Sequence, residues 1–400
     1  MIFTLSAWSI SIDTSSELCY EGGYLTSQDR FNHTLTLTID YFQELSDDIF
    51  LEGNLVTRIT NKEYAQPLIV GPNELYLSGY NIIENLDLRA GKIITSWGSA
   101  DLFSPLDNFN PLPPEISLTK QQDKLGALGI NGTYYINDWT YMQVVLMPQL
   151  KVTPFPDKYL QDTYQEQYQP IYQAQGQTIN QVDLNYQSTD KFIWGFRLTR
   201  SFDKFDAGIS YYNGYFMDPF PVNITTFPNA TGTTLGLTLG YPGKHVFGLE
   251  FQGEFPGIEG ATLRGDLAYI IPQPWSLQGE KLLDQPYYKA TIGADYTTDS
   301  NIYFNGGFIY GLPFEQGQAC SPYLYLNTHQ EIEDSKFKPF YVGVFSLEDL
   351  SIGQAIGFDY QINDNMSASI SYALLSGDKQ SNLGVLERSE GFYFSLEWLF

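Results

Sequence analysis

The chain closes on Gly391-Phe-Tyr-Phe-Ser-Leu-Glu-Trp-Leu-Phe400. Phe392, Phe394, Leu396, Trp398 and Phe400 fall on one side of an extended backbone, and Tyr393, Ser395 and Glu397 on the other. A repeat of two is the period of a β-strand with unlike faces. The same period runs upstream. Met366, Ala368, Ile370, Tyr372 and Leu374 alternate with Ser367, Ser369 and Ser371, and Leu35, Leu37, Ile39 and Tyr41 alternate with Thr34, Thr36, Thr38 and Asp40. Tyr288, Ala290, Ile292, Ala294 and Tyr296 alternate with Lys289, Thr291, Gly293, Asp295 and Thr297. A soluble sandwich would bury the greasy face, whereas a transmembrane barrel turns it out to lipid and keeps the polar face in water. Periodicity alone fits both.

Three features favour the barrel. The alternating runs are about 10–14 residues long, enough to cross a bilayer at a tilt. Tyr, Phe and Trp collect near their ends, as an interfacial girdle requires. Connections also alternate in length. Short ones lie at 46–48, 137–138, 201–204, 297–301, 333–335 and 363–365. Long ones lie near 60–74, 98–121, 149–190, 217–232, 271–285, 312–321 and 377–388. The reading is therefore an all-β chain forming a single antiparallel transmembrane barrel of about 18 strands (16–20), with short periplasmic turns and long extracellular loops. To keep the two sides in parity, 232–254 is read as one long strand, because Leu235, Leu237, Leu239 and Tyr241 stay in phase with Phe247, Leu249 and Phe251 across Pro242. Residues 17–400 are assigned to the barrel and 1–16 to an export-signal remnant or N-terminal leader.

Composition narrows the function. A formal net charge of −25 over 400 residues argues against a nucleic-acid surface. A mean hydropathy of −0.22, with no long apolar run, excludes helical membrane spans. The three histidines, His33, His245 and His329, are scattered, and no nucleophile–base arrangement stands out, so no enzyme activity, cofactor or metal is expected. Cys19 and Cys320 are read as isolated thiols.

A second stretch, Gly91-Lys-Ile-Ile-Thr-Ser-Trp-Gly-Ser-Ala-Asp101 followed by Pro105-Leu-Asp-Asn-Phe-Asn-Pro111, resembles a W-G-x-x-D loop motif of large, uncharacterised Gram-negative outer-membrane porin-like barrels. The terminal Phe400 strand is similar to the C-terminal signature of such barrels. The resemblance implies an outer-membrane location among lipid and lipopolysaccharide. It also implies that the barrel-assembly machinery reads Phe392, Phe394, Leu396, Trp398 and Phe400, and that small solutes or ions diffuse through the pore. It leaves a homo-oligomer open.

Strand phase then assigns the lumen. Arg58, Arg89, Arg197, Arg264, Glu250, Asp266 and Asp295 fall on polar faces and are taken as channel-lining residues that set selectivity. The rival role for these charges is to pair across neighbouring strands and brace the wall. The acidic excess favours cations. Prolines 105, 111, 113 and 114 stiffen the loop carrying Trp97, Asp101 and Asp107, which could fold inward as a constriction; the plainer alternative is that its Asp and Asn residues merely tie down turns. The Gln- and Tyr-rich stretch 159–177 reads as an exposed loop, with an inward plug or a sugar-stacking surface as alternatives. Two further functions remain: a sheath around a partner such as a periplasmic multihaem cytochrome, and a receptor or hydrolase acting through the extracellular loops.

Overall fold

The computed structural model describes residues 12–26, 28–63, 65–113, 124–278, 280–333, 335–378, 381–384 and 389–400. In chain order the elements are β1 (Ile12–Leu25), β2 (Arg30–Ser46), β3 (Ile49–Thr60), β4 (Leu68–Ile83), β5 (Leu86–Ile93), β6 (Ala127–Asn137) and β7 (Thr140–Met147). Helix α1 (Asp157–Gln173) and β8 (Ile179–Tyr186) precede β9 (Ile193–Ser201), β10 (Phe205–Tyr215), β11 (Phe220–Asn229), β12 (Gly232–Gly240), β13 (Gly243–Glu254) and β14 (Thr262–Pro272). The chain continues through β15 (Trp275–Leu277), β16 (Glu280–Leu283), β17 (Tyr287–Thr297), β18 (Ile302–Tyr310), β19 (Pro322–Gln330), β20 (Phe337–Ser346), β21 (Ile352–Asn363), β22 (Met366–Ser376) and β23 (Gly391–Leu399).

Among the described residues, 18 of these strands form one sheet in which each hydrogen-bonds the next antiparallel, leaving out β8, β11, β12, β15 and β16. β23 pairs back onto β1, so the sheet has no edge. At about 4.8 Å between strands and about 40° of tilt, such a ring is about 35 Å across. Both ends of the wall, Ile12 and Leu399, lie on the rim of two- to seven-residue turns, and the opposite rim carries the long connections.

The wall is inverted relative to a soluble sandwich. Phe247 and Leu249 are 47% and 55% exposed, while Val246 beside them is 2% exposed and faces inward with Tyr212 and Ala268. Aromatic side chains such as Tyr80, Tyr134, Trp139, Phe205, Phe337 and Trp398 ring the short-turn rim and are exposed. A greasy exterior edged by aromatics is the surface that a bilayer requires of a barrel.

Several expectations are corrected. Residues 232–254 are two elements. The chain folds at Tyr241-Pro242, and β12 leaves the ring to pair with β11 antiparallel and with β8 in parallel. Leu235, Leu237 and Leu239 are wholly buried in the core of that small sheet, so their phase match with Phe247 is fortuitous. The ring still counts 18, because the β11–β12 excursion leaves from and returns to the same rim. Pairing also begins earlier than Glu17: β2 runs to Ser46, and its backbone groups are met by β1 from Ile12. All of 68–74 is strand rather than loop.

The Gln- and Tyr-rich stretch is helix α1. Asp157 sits in its first turn, where the helix dipole favours an acid. Leu160 and Tyr164, four residues apart, bury one stripe against Val182, Leu235 and Leu237. Its glutamines have a structural role. Gln161 and Gln165 donate to the carbonyls of Val182 and Ile179, and Gln169 accepts the Ile179 N–H. The helix thus satisfies the edge of β8 that, among the described residues, no strand pairs.

Candidate functional site

After β5 the chain turns inward over residues 94–113. Residues 94–113 fold into the barrel, and Trp97, Leu106 and Phe109 are 2%, 2% and 0% exposed. They pack against inward residues of the wall, including Val145, Ile193, Tyr212, Val246 and Ala268. The Phe109 ring meets Trp97 and Tyr212 edge-on, with centroids 4.7 and 5.1 Å away. Gly195 makes room: a Cβ there would lie 2.6 Å from Phe109 and 2.8 Å from Trp97. Each such burial contributes about 1.5–3 kcal/mol before ordering costs, so the loop is docked by a dry core inside the barrel.

Polar fastenings fix its course. Asp266, on β14, accepts the Ser99 N–H at 2.9 and 3.1 Å and the Ala100 N–H at 3.0 Å. Gly98 has φ +104°, and a Cβ there would strike Ser104 Oγ and Asp266 Oδ2, so the turn needs glycine. Asp101 pairs with Arg264 and accepts Asn305 Nδ2 at 2.7 Å, while Arg264 Nη2 lies 3.3 Å from Asp295. Asn110 ties the loop's far limb, accepting the Thr95 N–H at 2.8 Å and donating to the carbonyls of Ile93 and Leu125. Lys244 donates to Asn108 Oδ1 at 2.6 Å. Asp107 pairs with Lys124, and burial pushes its carboxyl up to about 6 against the pull of that lysine. Asp101, Asp107 and Asn108 therefore reach groups well beyond their own turns, and more than local Asx bonding holds the loop.

Register places Arg58, Arg89, Arg197, Arg264, Glu250, Asp266 and Asp295 on the inner wall, in two groups. Arg197 clamps Glu250 bidentately at 2.6 and 2.9 Å, with Gln143 at 3.3 Å, and Glu250 is 5% exposed. Arg197, Glu250, Asp266, Arg264 and Asp295 are thus partnered by one another or by the loop. Arg58 and Arg89 form no ion pair among the described residues; Arg89 lies 5.9 Å over the Tyr76 ring. Glu52, opposite Tyr76, accepts its hydroxyl at 3.2 Å. Asp40, Glu21 and Glu397 face inward from β2, β1 and β23. Residues 94–113 thus pack on the inner wall as far round as β18, and the acids Glu21, Asp40, Glu52 and Glu397 stand on the wall from β23 to β3.

Sequence reasoning missed Lys244, Asn305 and Asn110. No local signal marks Lys244 as a loop fastener, because its partner lies 136 positions away. Among the described residues, one group, Glu17, Cys19 and Glu397 on the inner wall, brings three metal-type ligand atoms within 4.8 Å of one another. Phe392, Phe394, Leu396 and Trp398 line the outward face of β23, with Phe400 following the strand.

A closed 18-strand wall with a loop folded into its lumen can be compared with solved barrels. Pseudomonas aeruginosa OpdQ superposes with a TM-score of 0.55 at 10% identity over 98% of this chain and 97% of that one. It has the fold of an outer-membrane porin. Pseudomonas aeruginosa OccK2 (OpdF), solved in complex with glucuronate, gives 0.55 at 8% identity over 98% and 97% of the two chains. Acinetobacter baumannii OccAB4 gives 0.53 at 8% identity over 98% of each. No protein-family model matches the chain, and no curated protein matches it in sequence. The porin fold sets the frame, and any particular solute has to be argued from this chain's own residues.

Proposed function

We propose that the protein is an outer-membrane channel for diffusion of small solutes, with a preference for cations. The docked 94–113 loop carries this reading, because it narrows the lumen from one side and leaves the acid-bearing wall as the path. Arg197 and Arg264 on the covered side are neutralised by Glu250, Asp101 and Asp295. The solute would therefore meet Asp40 and Glu52, offset by Arg58 and Arg89. Wall and loop are crossed by hydrogen bonds, so the constriction is fixed in place rather than transient. A loop that fills lumen volume leaves less room for an enclosed partner protein, which weighs against the sheath reading. The outward aromatic face of β23 would serve the barrel-assembly machinery.

Single-channel recording of purified protein in a planar bilayer under a salt gradient tests the proposal. Discrete steps with a cation-selective reversal potential are expected. Anion-selective steps would keep the channel and move selectivity to Arg58 and Arg89. Silence from protein shown to be folded by heat-modifiable gel mobility would overturn the channel.

A further inference from the structure

Strand register separates the charges of the lumen from the few that face the membrane. Lys92, one residue before the end of β5, pairs in register with Leu75 of β4 and Leu128 of β6. Both leucines lie on the outer face, 45% and 59% exposed, while Ile93 beside Lys92 is buried inward. Lys92 therefore stands on the outer face of the wall, at the long-loop rim. A lysine in such a place lays its stem along the apolar wall and carries its ammonium group up to the water. Its Nζ donates to the carbonyl of Pro72, in the first half of β4.

Two more cations continue the line along this rim. Lys151, just beyond β7, is exposed and stands close enough to Lys92 for the two charges to repel. Neither forms an ion pair among the described residues. The Leu150 N–H donates to the Thr189 carbonyl at 3.1 Å, and the Lys191 N–H donates to the same carbonyl at 2.7 Å, so Lys151 and Lys191 are neighbours. The Lys191 ammonium lies 4.4 Å over the Tyr215 ring and donates to the Tyr241 carbonyl at 2.7 Å. Asp190, the acid of this stretch, accepts Ser188 Oγ at 3.0 Å. Below the lysines the outer face is apolar, with Trp194 of β9 paired in register with Leu146 of β7.

The far side of the ring differs. Near the same rim on β17, β18, β20 and β23 the outward side chains are Tyr288, Tyr310, Phe345 and Phe392, and none is charged. In a chain of net charge −25, cations are thus gathered where the outer wall meets the long loops. Two ammonium groups that repel each other gain from a shared anion, and lysine meets phosphate as a compact point charge. We propose that the outer rim over β5–β9 binds the phosphorylated glycolipid of the outer leaflet, lipopolysaccharide. Lys92, Lys151 and Lys191 meet the lipid A phosphates, and the acyl chains run down the wall along Leu128, Leu146 and Trp194. The site uses the outer face alone and does not depend on conduction through the lumen.

The test uses the full chain, folded and stripped of lipid in detergent, with a chelator present so that no divalent ion bridges phosphate to protein. Bis-phosphorylated lipid A and the same lipid with its phosphates removed are titrated separately, and bound molecules are counted by native mass spectrometry. The wild-type protein should hold the phosphorylated form several-fold more tightly, and added salt should narrow the gap. Lys92→Gln combined with Lys151→Gln should remove that preference. Lys151→Glu alone, at an exposed side chain, should reduce it without touching the fold. Lys281→Gln, an exposed cation of the β14–β17 connection, should leave it unchanged. Equal binding of the two lipids by the wild-type protein would overturn the site. So would a preference that survives both lysine variants, or one lost equally in Lys281→Gln, in protein shown to be folded by heat-modifiable gel mobility.

Discussion

The carboxylate of Asp266 holds the backbone N–H of Ser99 with both oxygens, at 2.9 and 3.1 Å, across 167 positions of sequence. Asp266 is 4% exposed and also takes the Ala100 N–H, so a charge from the wall is satisfied almost wholly by the loop it fixes. Asp266→Ala removes the acceptor and leaves two half-buried N–H groups without that partner. Each buried unsatisfied group costs about 1–3 kcal/mol. The expected outcome is a barrel that still closes but whose loop is loosened, read as noisier and larger single-channel currents. Asp266→Asn, which keeps one acceptor oxygen, should fall between the two.

The Arg197–Glu250 clamp predicts a different pattern. Removing one member strands a buried charge, which costs about 3–5 kcal/mol. Arg197→Met or Glu250→Leu alone should therefore lower the denaturant midpoint sharply in detergent. The double variant should recover most of that loss, because no charge is then left unpaired. Equal and additive losses in the double-mutant cycle would show that the two side chains act independently.

Asp107 makes the docked loop sensitive to pH. Its carboxyl is raised by burial to about 6, with Lys124 opposing the shift. The docked state therefore holds a proton that an exposed carboxyl would release. Docking is favoured below the ordinary Asp range, and this contribution is lost as pH rises through about 6. Conductance noise should increase between pH 4 and 6 (roughly the interval between the two values) and level off above it. Asp107→Asn should flatten that profile, and an unchanged profile in this variant would assign the titration elsewhere.

Much of the barrel could be read from residue order because a membrane barrel writes its period twice, once in the greasy face and once in the alternating loop lengths. The reading broke down at Tyr241-Pro-Gly-Lys244. Leucines buried in a small loop sheet carry the same two-residue period as leucines facing lipid, and no composition rule separates the two environments. The helix at 157–173 was hidden for a related reason: its buried stripe is only Leu160 and Tyr164, and the rest is Gln and Tyr that bond a strand edge. Trp97, Asp101 and Asp107 stood out because prolines and glycines surround them. Their partners Asp266, Arg264, Asn305 and Lys244 did not, because strand stagger decides which distant residues meet, and stagger leaves no local trace.

Charge selectivity separates the arginines that face water from those that brace the wall. Arg58 and Arg89 lie on the inner face of β3 and β5 without an ion pair among the described residues, whereas Arg197 is neutralised by Glu250 and Arg264 by Asp101 and Asp295. A fixed lumen charge biases the local concentration of counter-ions, and a neutralised pair contributes little to that field. Arg58→Gln and Arg89→Gln should therefore shift the reversal potential toward cation selectivity at low salt and only weakly at high salt, where screening takes over. Glu52→Gln, on the same stretch of wall, should shift it the opposite way, and it leaves one acceptor oxygen for the hydroxyls of Tyr76 and Ser78 that the carboxylate now accepts. The matched control is the Arg197→Met, Glu250→Leu pair, which deletes one charge of each sign and should leave the potential where it was. Reversal potentials measured for all four proteins in one salt gradient decide the matter. A shift in the clamp double variant with none at Arg89 would place the ion path on the loop-covered side of the lumen.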